Sequence, residues 1–474
     1  MTHFENNGFS LYNPYQTDGV NWMLDRELHS DKHSGGILAD ECGLGKTIQT
    51  LATMYANKLP RTLLVVPNCV LHQWYDLCVL LFPKAAVILH HGPSRTKTST
   101  ELEALFKKTS IVVTTYGMIV NGKKSKKIST PVNSILQEIK WSRVVCDEIH
   151  ILRNKKTKQS QSVKDLKTDI IWGLTGTPVQ NSIADLKTLY KCLKFPSHLL
   201  KDDSDYYAKL NSEYILRRTK ADVVDMVGEM PELTVKIAEV PFRHPAEKKW
   251  YKETSEQIFS EIRRSNTDPM HLIELLLRLR QTCIHPQIML DGLARKFGLD
   301  EGAITFDEVS TKFQIISEMM DTHRDEKTLV FCYFKKEIEI LSRWLGSHGW
   351  SVFVIDGSKS MAERKDIIKQ AEACTEPTVM LIQIQAGAVG MNLQFASQSY
   401  FTSPNWNPSM EIQAIARTHR LGQKRPVTAT KIIIKEDDVV EDFILRKQEI
   451  KRQIMATVLC DDTLLNNGKR VSIE

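Results

Sequence analysis

The sequence predicts an α/β protein of two doubly wound lobes with a helical insertion between them. Three observations point there. Short apolar runs rich in β-branched residues, Thr62–Pro67, Ala85–His90, Ser110–Thr115, Arg143–Asp147 and Asp169–Leu174, read as strands covered on both faces of a parallel sheet. Helical patterns such as Thr47–Ala56 and Glu101–Lys108 separate them, as in strand–helix–strand units. The alternation stops near residue 190 and gives way to charged, mostly helical text from about Lys194 to Glu308. It then returns over Thr328–Cys332, Val352–Asp356, Thr378–Ile384, Ser399–Thr402 and Val427–Ile434. Glu247–Arg264 and His271–Gln281 are the clearest helices of the middle stretch, and a last helical pattern follows the acidic Glu436–Asp442 to about Leu459. The predicted layout is a first lobe over 1–193, an insertion over 194–308, a second lobe over 309–435, and a C-terminal brace helix and tail over 436–474.

Composition narrows the class. The 474 residues give room for about two to four ordinary domains. Apolar residues make up 42% and charged residues 25%, which excludes a disordered, collagenous or membrane-spanning chain. The longest purely apolar run, Leu77–Phe82, falls far short of the about 20 residues of a membrane helix. The first residues carry neither a basic nor an apolar segment, so no secretory leader is expected. Lys and Arg number 63 against 57 Asp and Glu, and the net charge of +6 only hints at a polyanionic partner. The nine cysteines are scattered without a Cys-x-x-Cys pair. Reduced thiols are expected, with no zinc module and no disulfide framework.

The strongest chemical signal is Gly35–Thr47, GGILADECGLGKT. An apolar strand runs into Gly43-Leu44-Gly45-Lys46-Thr47, and a helix follows at once. In that context backbone N–H groups and a helix N-terminus face phosphates. Lys46 would reach the β- and γ-phosphates, and Thr47 would ligate Mg²⁺. Asp40 stands where the simple pattern has its first glycine, with Glu41 and Cys42 after it. The partner signal is Val144-Val145-Cys146-Asp147-Glu148-Ile149-His150. A strand there delivers two carboxylates at its C-terminal end, where α/β ligands bind. Alone, such a pair is an ordinary solvated strand end. With Lys46 on another strand of the same lobe, Asp147 suits the Mg²⁺ shell and Glu148 the general base that orients water.

At this point the residues resemble a family. DECGLGKT with DEIH is similar to superfamily 2 helicase-like ATPases. Pro14-Tyr15-Gln16 with Gly19-Val20-Asn21-Trp22, Leu174 to Asn181 (LTGTPVQN), Ile215 to Lys220 (ILRRTK), Gly390 to Leu393 (GMNL), Trp406-Asn407-Pro408 and Gln413 to Gln423 (QAIARTHRLGQ) narrow the resemblance to Swi/Snf-type translocases of double-stranded DNA. It runs from about Leu11 to Ile454. Leu276 to Pro286 (LLRLRQTCIHP) looks like the group of helicase-like transcription factor and transcription termination relatives. Several of those carry a RING finger, which the cysteine spacings exclude here. As a compact core the chain is similar to versions encoded by large DNA viruses, such as the baculovirus global transactivators.

The resemblance implies two RecA-like lobes, ATP with Mg²⁺, and sequence-independent binding of duplex DNA. Arg417 and Arg420 would be arginine fingers on one face of a helix that starts with Asn407 as N-cap and Pro408 behind it. Gln16 would read adenine. His150, Thr175, Thr177 and Gln413 would couple hydrolysis to movement, His150 by a hydrogen bond to the turn at Gly176. Thr114, Thr115, Tyr116, Arg153, Asn154 and Lys155, with Gly387 to Asn392 of the second lobe, would contact DNA phosphates. The Lys123–Lys127 loop stays open between a solvated loop, a nuclear localisation signal and an auxiliary DNA contact.

Three departures from the family stand out. Cys42 replaces a usual Met, Ile149 a small residue, and Gln385-Ala386-Gly387-Ala388 a usual Lys-Ala-Gly-Gly. None removes a catalytic group; Ala388 bears on motor coupling. The expected function is ATP-driven translocation that remodels DNA-bound proteins in transcription or repair, possible partners being those proteins and the transcription machinery, in the nucleus (the host's, for a viral protein) or otherwise the cytoplasm. Two alternatives stand beside it: a strand-separating helicase and a non-catalytic protein that binds DNA or transcription complexes.

Overall fold

The computed structural model describes the chain apart from residues 1–9, 12–13, 30–33, 121–133, 197, 199, 201–203, 228–229, 265–268, 301, 303, 307–308, 388–389, 467 and 474. The Lys123–Lys127 loop and Ala388 therefore lie outside the described residues. The chain divides into two compact units, 1–230 with 453–464 and 231–452 with 465–474.

In the first unit seven parallel strands form one sheet. They are β1 (Ser34–Leu38), β2 (Arg61–Val66), β3 (Ala86–Leu89), β4 (Ser110–Thr115), β5 (Arg143–Asp147), β6 (Ile170–Leu174) and β7 (Ile215–Leu216), in the order β3-β4-β2-β5-β6-β1-β7. Helices α1 (Tyr15–Leu28), α2 (Lys46–Ala56), α3 (Leu71–Leu81), α4 (Ile183–Cys192) and α5 (Ser204–Tyr214) belong to it. The central strands are buried along nearly their whole length, as their apolar runs require. Register sets the site: Leu38 pairs with Leu174, and Leu174 with Asp147, so β1, β6 and β5 end level. The loops that follow these three strands must leave from one edge of the sheet.

The second unit has its own seven-stranded parallel sheet. Its strands are β8 (Leu233–Val240), β9 (Thr328–Cys332), β10 (Ser351–Ile355), β11 (Thr378–Gln383), β12 (Gln398–Phe401), β13 (Val427–Ile434) and β14 (Lys469–Ser472), in the order β10-β11-β9-β12-β13-β8-β14. Helices α6 (Pro245–Arg264), α7 (Pro269–Ile284), α8 (Pro286–Phe297), α9 (Thr311–Asp321), α10 (Lys335–Ser347) and α11 (Pro408–Ile415) belong to it, together with the start of α12 (Val440–Leu459). One core joins Leu279, Cys283 and Ile288 of the helices to Phe313, Val330, Leu341 and Ile432.

The two-lobe fold class is as the sequence predicts; the compact units divide the chain in another way. The stretch 194–308 does not form a body of its own: its first part belongs to the first unit and the rest, from 231, to the second. The reason is three strands that lack apolar runs. β7 has only two residues and pairs with β1. β8 carries Lys236 and Glu239 and pairs with β13, while β14 is exposed throughout and pairs with β8. The tail is split the same way, since 453–464 counts with the first unit.

A buried ion pair pins the second unit. Lys312, fully buried in the first turn of α9, donates through Nζ to Thr402 O at 2.7 Å, Ile432 O at 3.0 Å and Glu441 Oε1 at 2.6 Å. Glu441 Oε2 accepts from Ile434 N at 2.9 Å. One charge pair thus joins the starts of α9 and α12 to β13 and to the residue that follows β12. Removing a single partner strands the other charge, so Glu441→Gln should cost about 3–5 kcal/mol, whereas Lys312→Met with Glu441→Leu should cost clearly less. Urea unfolding of the variants checks this; an equal or larger loss in the double variant contradicts it.

Candidate active site

The loop after β1 is shaped to face an anion. Gly43 and Gly45 have positive φ, 99° and 79°. Gly45 is the N-cap of α2, and a Cβ there would lie 2.4 Å from Gln16 Nε2, so the close approach of Gln16 excludes a side chain. No side chain caps the helix, which leaves its first N–H groups for a ligand. Lys46 folds back over the loop, its Nζ 2.7 Å from Asp40 O and 3.4 Å from Glu41 O. Lys46 and Thr47 are partly exposed, while Leu44 between the glycines is buried.

Three residues expected to bind nucleotide hold the loop instead. Asp40 is buried, its Oδ1 2.9 Å from Arg218 Nε and its Oδ2 2.5 Å from the same guanidinium and 2.9 Å from Gln49 Nε2. Glu41 accepts from Lys220, at 2.8 Å from its backbone N and 3.2 Å from Nζ. Carboxylates turned to the phosphates would repel them; turned away, they fasten the loop to the segment after β7. Gln16 is buried too, its Nε2 donating to Leu44 O at 3.1 Å, beside Tyr15, whose hydroxyl donates to the same oxygen. The ILRRTK motif was visible in the sequence, but nothing in it told which carboxylates its arginines meet.

At the end of β5 the two carboxylates differ. Asp147 Oδ2 accepts from the buried Trp74 indole at 2.9 Å and Oδ1 from Glu148 N at 3.0 Å. Burial and the neighbouring Glu148 carboxylate raise the Asp147 pKa to about 6, against the Trp74 bond and the charge of Lys46. Glu148 adopts left-handed backbone (φ 51°), a strained conformation for a residue with a side chain. Its Oε2 lies 3.1 Å from His150 Nδ1, which is also 2.9 Å from Thr175 Oγ1. Thr175 Oγ1 accepts from Thr177 N at 3.1 Å, and Thr175 N donates to Leu38 O at 3.2 Å. A chain of contacts therefore runs from Glu148 through His150 to the turn after β6 and the end of β1. Ile149 and Cys42, the departures from the family, each sit against a glycine: a Cβ on Gly173 would lie 2.6 Å from Ile149, and one on Gly176 2.5 Å from Cys42 Sγ.

The expected DNA contacts divide. Thr114, Thr115 and Tyr116 are buried, which overturns their reading as surface contacts. The Thr114 hydroxyl donates to His90 O at 2.8 Å, and that of Tyr116 to Asp147 O at 2.6 Å. β4 is a central strand, so its end packs beneath the acidic loop. Arg153 is half-buried and donates to His150 O at 3.2 Å, while Asn154 and Lys155 are exposed. In the second unit Gly387 closes a short helix, Ile384–Gly387, and Asn392 is exposed.

In the second unit α11 begins as expected, with Asn407 Oδ1 accepting from Ser409 N at 3.2 Å and Pro408 behind it. It ends at Ile415, so Arg417 and Arg420 stand in the turns beyond it and do not share a helix face. The stop comes from the 391–396 loop: Leu393 N donates to Arg417 O at 3.0 Å, and Gln394 Nε2 to Leu421 O at 2.9 Å. The two guanidiniums are still neighbours, and burial with the Arg417 charge pushes the Arg420 pKa down. No carboxylate pairs with Arg420 among the described residues. Gln413 is buried, and its Nε2 has no partner there.

The donor set fits a triphosphate with a divalent cation: uncapped N–H groups, one lysine, a hydroxyl and an oriented carboxylate. Trp74 was absent from the sequence reading, since only folding brings it across 73 residues to Asp147. Trp74→Phe keeps an aromatic ring but removes the donor. The Mg²⁺ concentration needed for tight nucleotide binding should then rise about tenfold, read from fluorescent-nucleotide binding at graded Mg²⁺. An unchanged Mg²⁺ dependence contradicts the role.

Comparison with known proteins bears on the family. The SNF2-related domain matches residues 15–288, and the helicase conserved C-terminal domain residues 311–422. The chain is 27% identical to the probable global transactivator of Orgyia pseudotsugata multicapsid polyhedrosis virus, over 95% of this chain and 92% of that protein. It is 26% identical to the human SWI/SNF-related matrix-associated actin-dependent regulator of chromatin subfamily A member 1, over 95% of this chain and 44% of that protein. It is 27% identical to the ISWI chromatin-remodeling complex ATPase ISW1 of Saccharomyces cerevisiae, over 94% and 40% respectively. The chain thus spans less than half the length of these two cellular relatives. With more than half of its residues matched by one domain and much of the remainder by the other, the chain belongs to the SNF2-related family.

Proposed function

We propose that this protein hydrolyses ATP and uses the cycle to move along duplex DNA, remodelling DNA-bound proteins in transcription or repair. The observation that supports it most is the level ending of β1, β5 and β6, which sets the phosphate loop, the two carboxylates and the Thr175 turn side by side. The N–H groups at the start of α2 and Lys46 Nζ bind the phosphates, Lys46 leaving its loop carbonyls to do so. Bound Mg²⁺, held by Thr47 and Asp147, would neutralise phosphate charge. Trp74 keeps the Asp147 carboxylate in one orientation. Glu148, on its strained backbone, accepts a proton from the attacking water. His150 and Thr175 carry a change at Glu148 to the end of β1. Arg417 and Arg420, which the family resemblance marks as arginine fingers, would supply positive charge to the transferring phosphoryl group.

Duplex DNA as the track rests on the family and on the chromatin-remodelling names of the relatives. The exposed Asn154, Lys155 and Asn392 can meet phosphates, and contacts of that kind are independent of sequence and sensitive to salt. The nucleus is the site of action in this reading.

Glu148→Gln tests the chemistry. It keeps size and hydrogen bonding but cannot take the proton. ATP turnover should fall about 10²–10⁴-fold while nucleotide binding persists. Turnover at the wild-type rate contradicts the assignment.

A further inference from the structure

The end of the last long helix plays no part in the reading above, yet it belongs to the first unit. α12 stops at Leu459, Cys460 takes left-handed backbone (φ 51°), and Asp461 N donates back to Ala456 O at 3.0 Å. A reversal at a residue other than glycine is strained, so the surroundings must hold it. It turns Asp461 inward, where only 7% of its surface remains exposed.

The two oxygens of Asp461 have separate tasks. Oδ1 accepts from Thr463 N at 3.1 Å and from Thr463 Oγ1 at 2.5 Å, which caps the turn Asp462–Leu465. Oδ2 accepts from Arg217 Nε at 2.9 Å and also pairs with a terminal nitrogen of that guanidinium. The other terminal nitrogen of Arg217 donates to Ala39 O at 3.0 Å and Gly176 O at 3.1 Å. Ala39 opens the phosphate loop, and Gly176 lies between Thr175 and Thr177. One buried guanidinium thus ties together the two loops that flank the phosphate site. Its charge is met by a carboxylate 244 residues further along the chain. A second anchor holds the same strap: Asn211 Nδ2 donates to Val458 O at 2.9 Å, and Tyr190 OH to Asn211 Oδ1 at 2.8 Å.

We infer that Asp461 is a positioning residue for the nucleotide site, acting through Arg217. A guanidinium this deep needs an anionic partner. Without one, Arg217 turns to water and releases both loop carbonyls, and the phosphate loop loses its fixed distance from the Thr175 turn. The inference rests on the ATPase reading of that site. It adds that the site is completed only when the C-terminal strap is seated.

Asp461→Asn is the decisive variant, because asparagine keeps the Oδ1 acceptor for Thr463 and removes only the charge. Thr463→Ala loosens the local cap and leaves the pair with Arg217, and Asp461→Glu keeps the charge. Binding of a fluorescent ADP analogue and duplex-stimulated ATP turnover are measured on the full chain, with thermal unfolding alongside. Asp461→Asn should weaken nucleotide binding about tenfold and slow turnover, Asp461→Glu should regain part of the loss, and Thr463→Ala should match wild type. Wild-type affinity in Asp461→Asn, or an equal loss in Thr463→Ala, overturns the inference and leaves the ATPase reading standing. A wild-type chain that binds no nucleotide overturns both.

Discussion

The first unit's site depends on how the phosphate loop is held from below. Asp40 is buried under it, and its carboxylate must be neutralised before the loop can accept an anion above. Arg218 does this with both carboxylate oxygens in reach, and Gln49 adds a third contact. Arg218 also meets Tyr15 O, so one guanidinium joins the start of α1, the phosphate loop and the segment after β7. Such buried pairs are costly to form and costlier to break. Their value is that a single arrangement satisfies them. The same device recurs in the second unit, where Lys431 and Glu411 pair at 2.9 Å in full burial, and Glu411 also accepts from Asn405 N.

Above that foundation, the sheet does the placing. Parallel neighbours that end level send their loops to one edge, and each loop carries a different chemical part. The loop after β1 offers N–H groups and a lysine, the loop after β5 two carboxylates, and the turn after β6 a hydroxyl. Environment then separates the carboxylates: Asp147 is locked by an indole and a backbone N–H, whereas Glu148 faces His150 on a strained backbone. Two adjacent carboxylates in sequence become a fixed ligand candidate and a candidate base.

What the sequence made legible follows from range. Central strands announce themselves as apolar runs because both faces are buried, and β4, β5, β9 and β13 stand where those runs predict. Edge strands do not: β7 is too short and β14 too polar to leave a pattern, so the sequence pattern does not mark where the compact units change. Motif residues were found wherever strand, glycine and lysine are close in sequence, as at Lys46. Orientation was not legible. Thr114 and Tyr116 belong to a motif but point inward, and Asp40 and Glu41 belong to the loop but point beneath it. The helix expected to carry Arg417 and Arg420 ends at Ile415, and the carbonyls of Arg417 and Leu421 beyond it are taken by a loop some 20 residues upstream. Trp74, Arg217 and Asp461 act across long separations that no local pattern records.

The central claim is an ATPase driven by duplex DNA. The most direct measurement is the rate of ATP hydrolysis by the purified chain with no nucleic acid, with single-stranded DNA and with duplex DNA of the same sequence, at two salt concentrations. The account predicts a low basal rate, marked stimulation by the duplex beyond that of the single strand, and loss of the stimulation as salt rises. A rate that the duplex raises no more than the single strand does would contradict it.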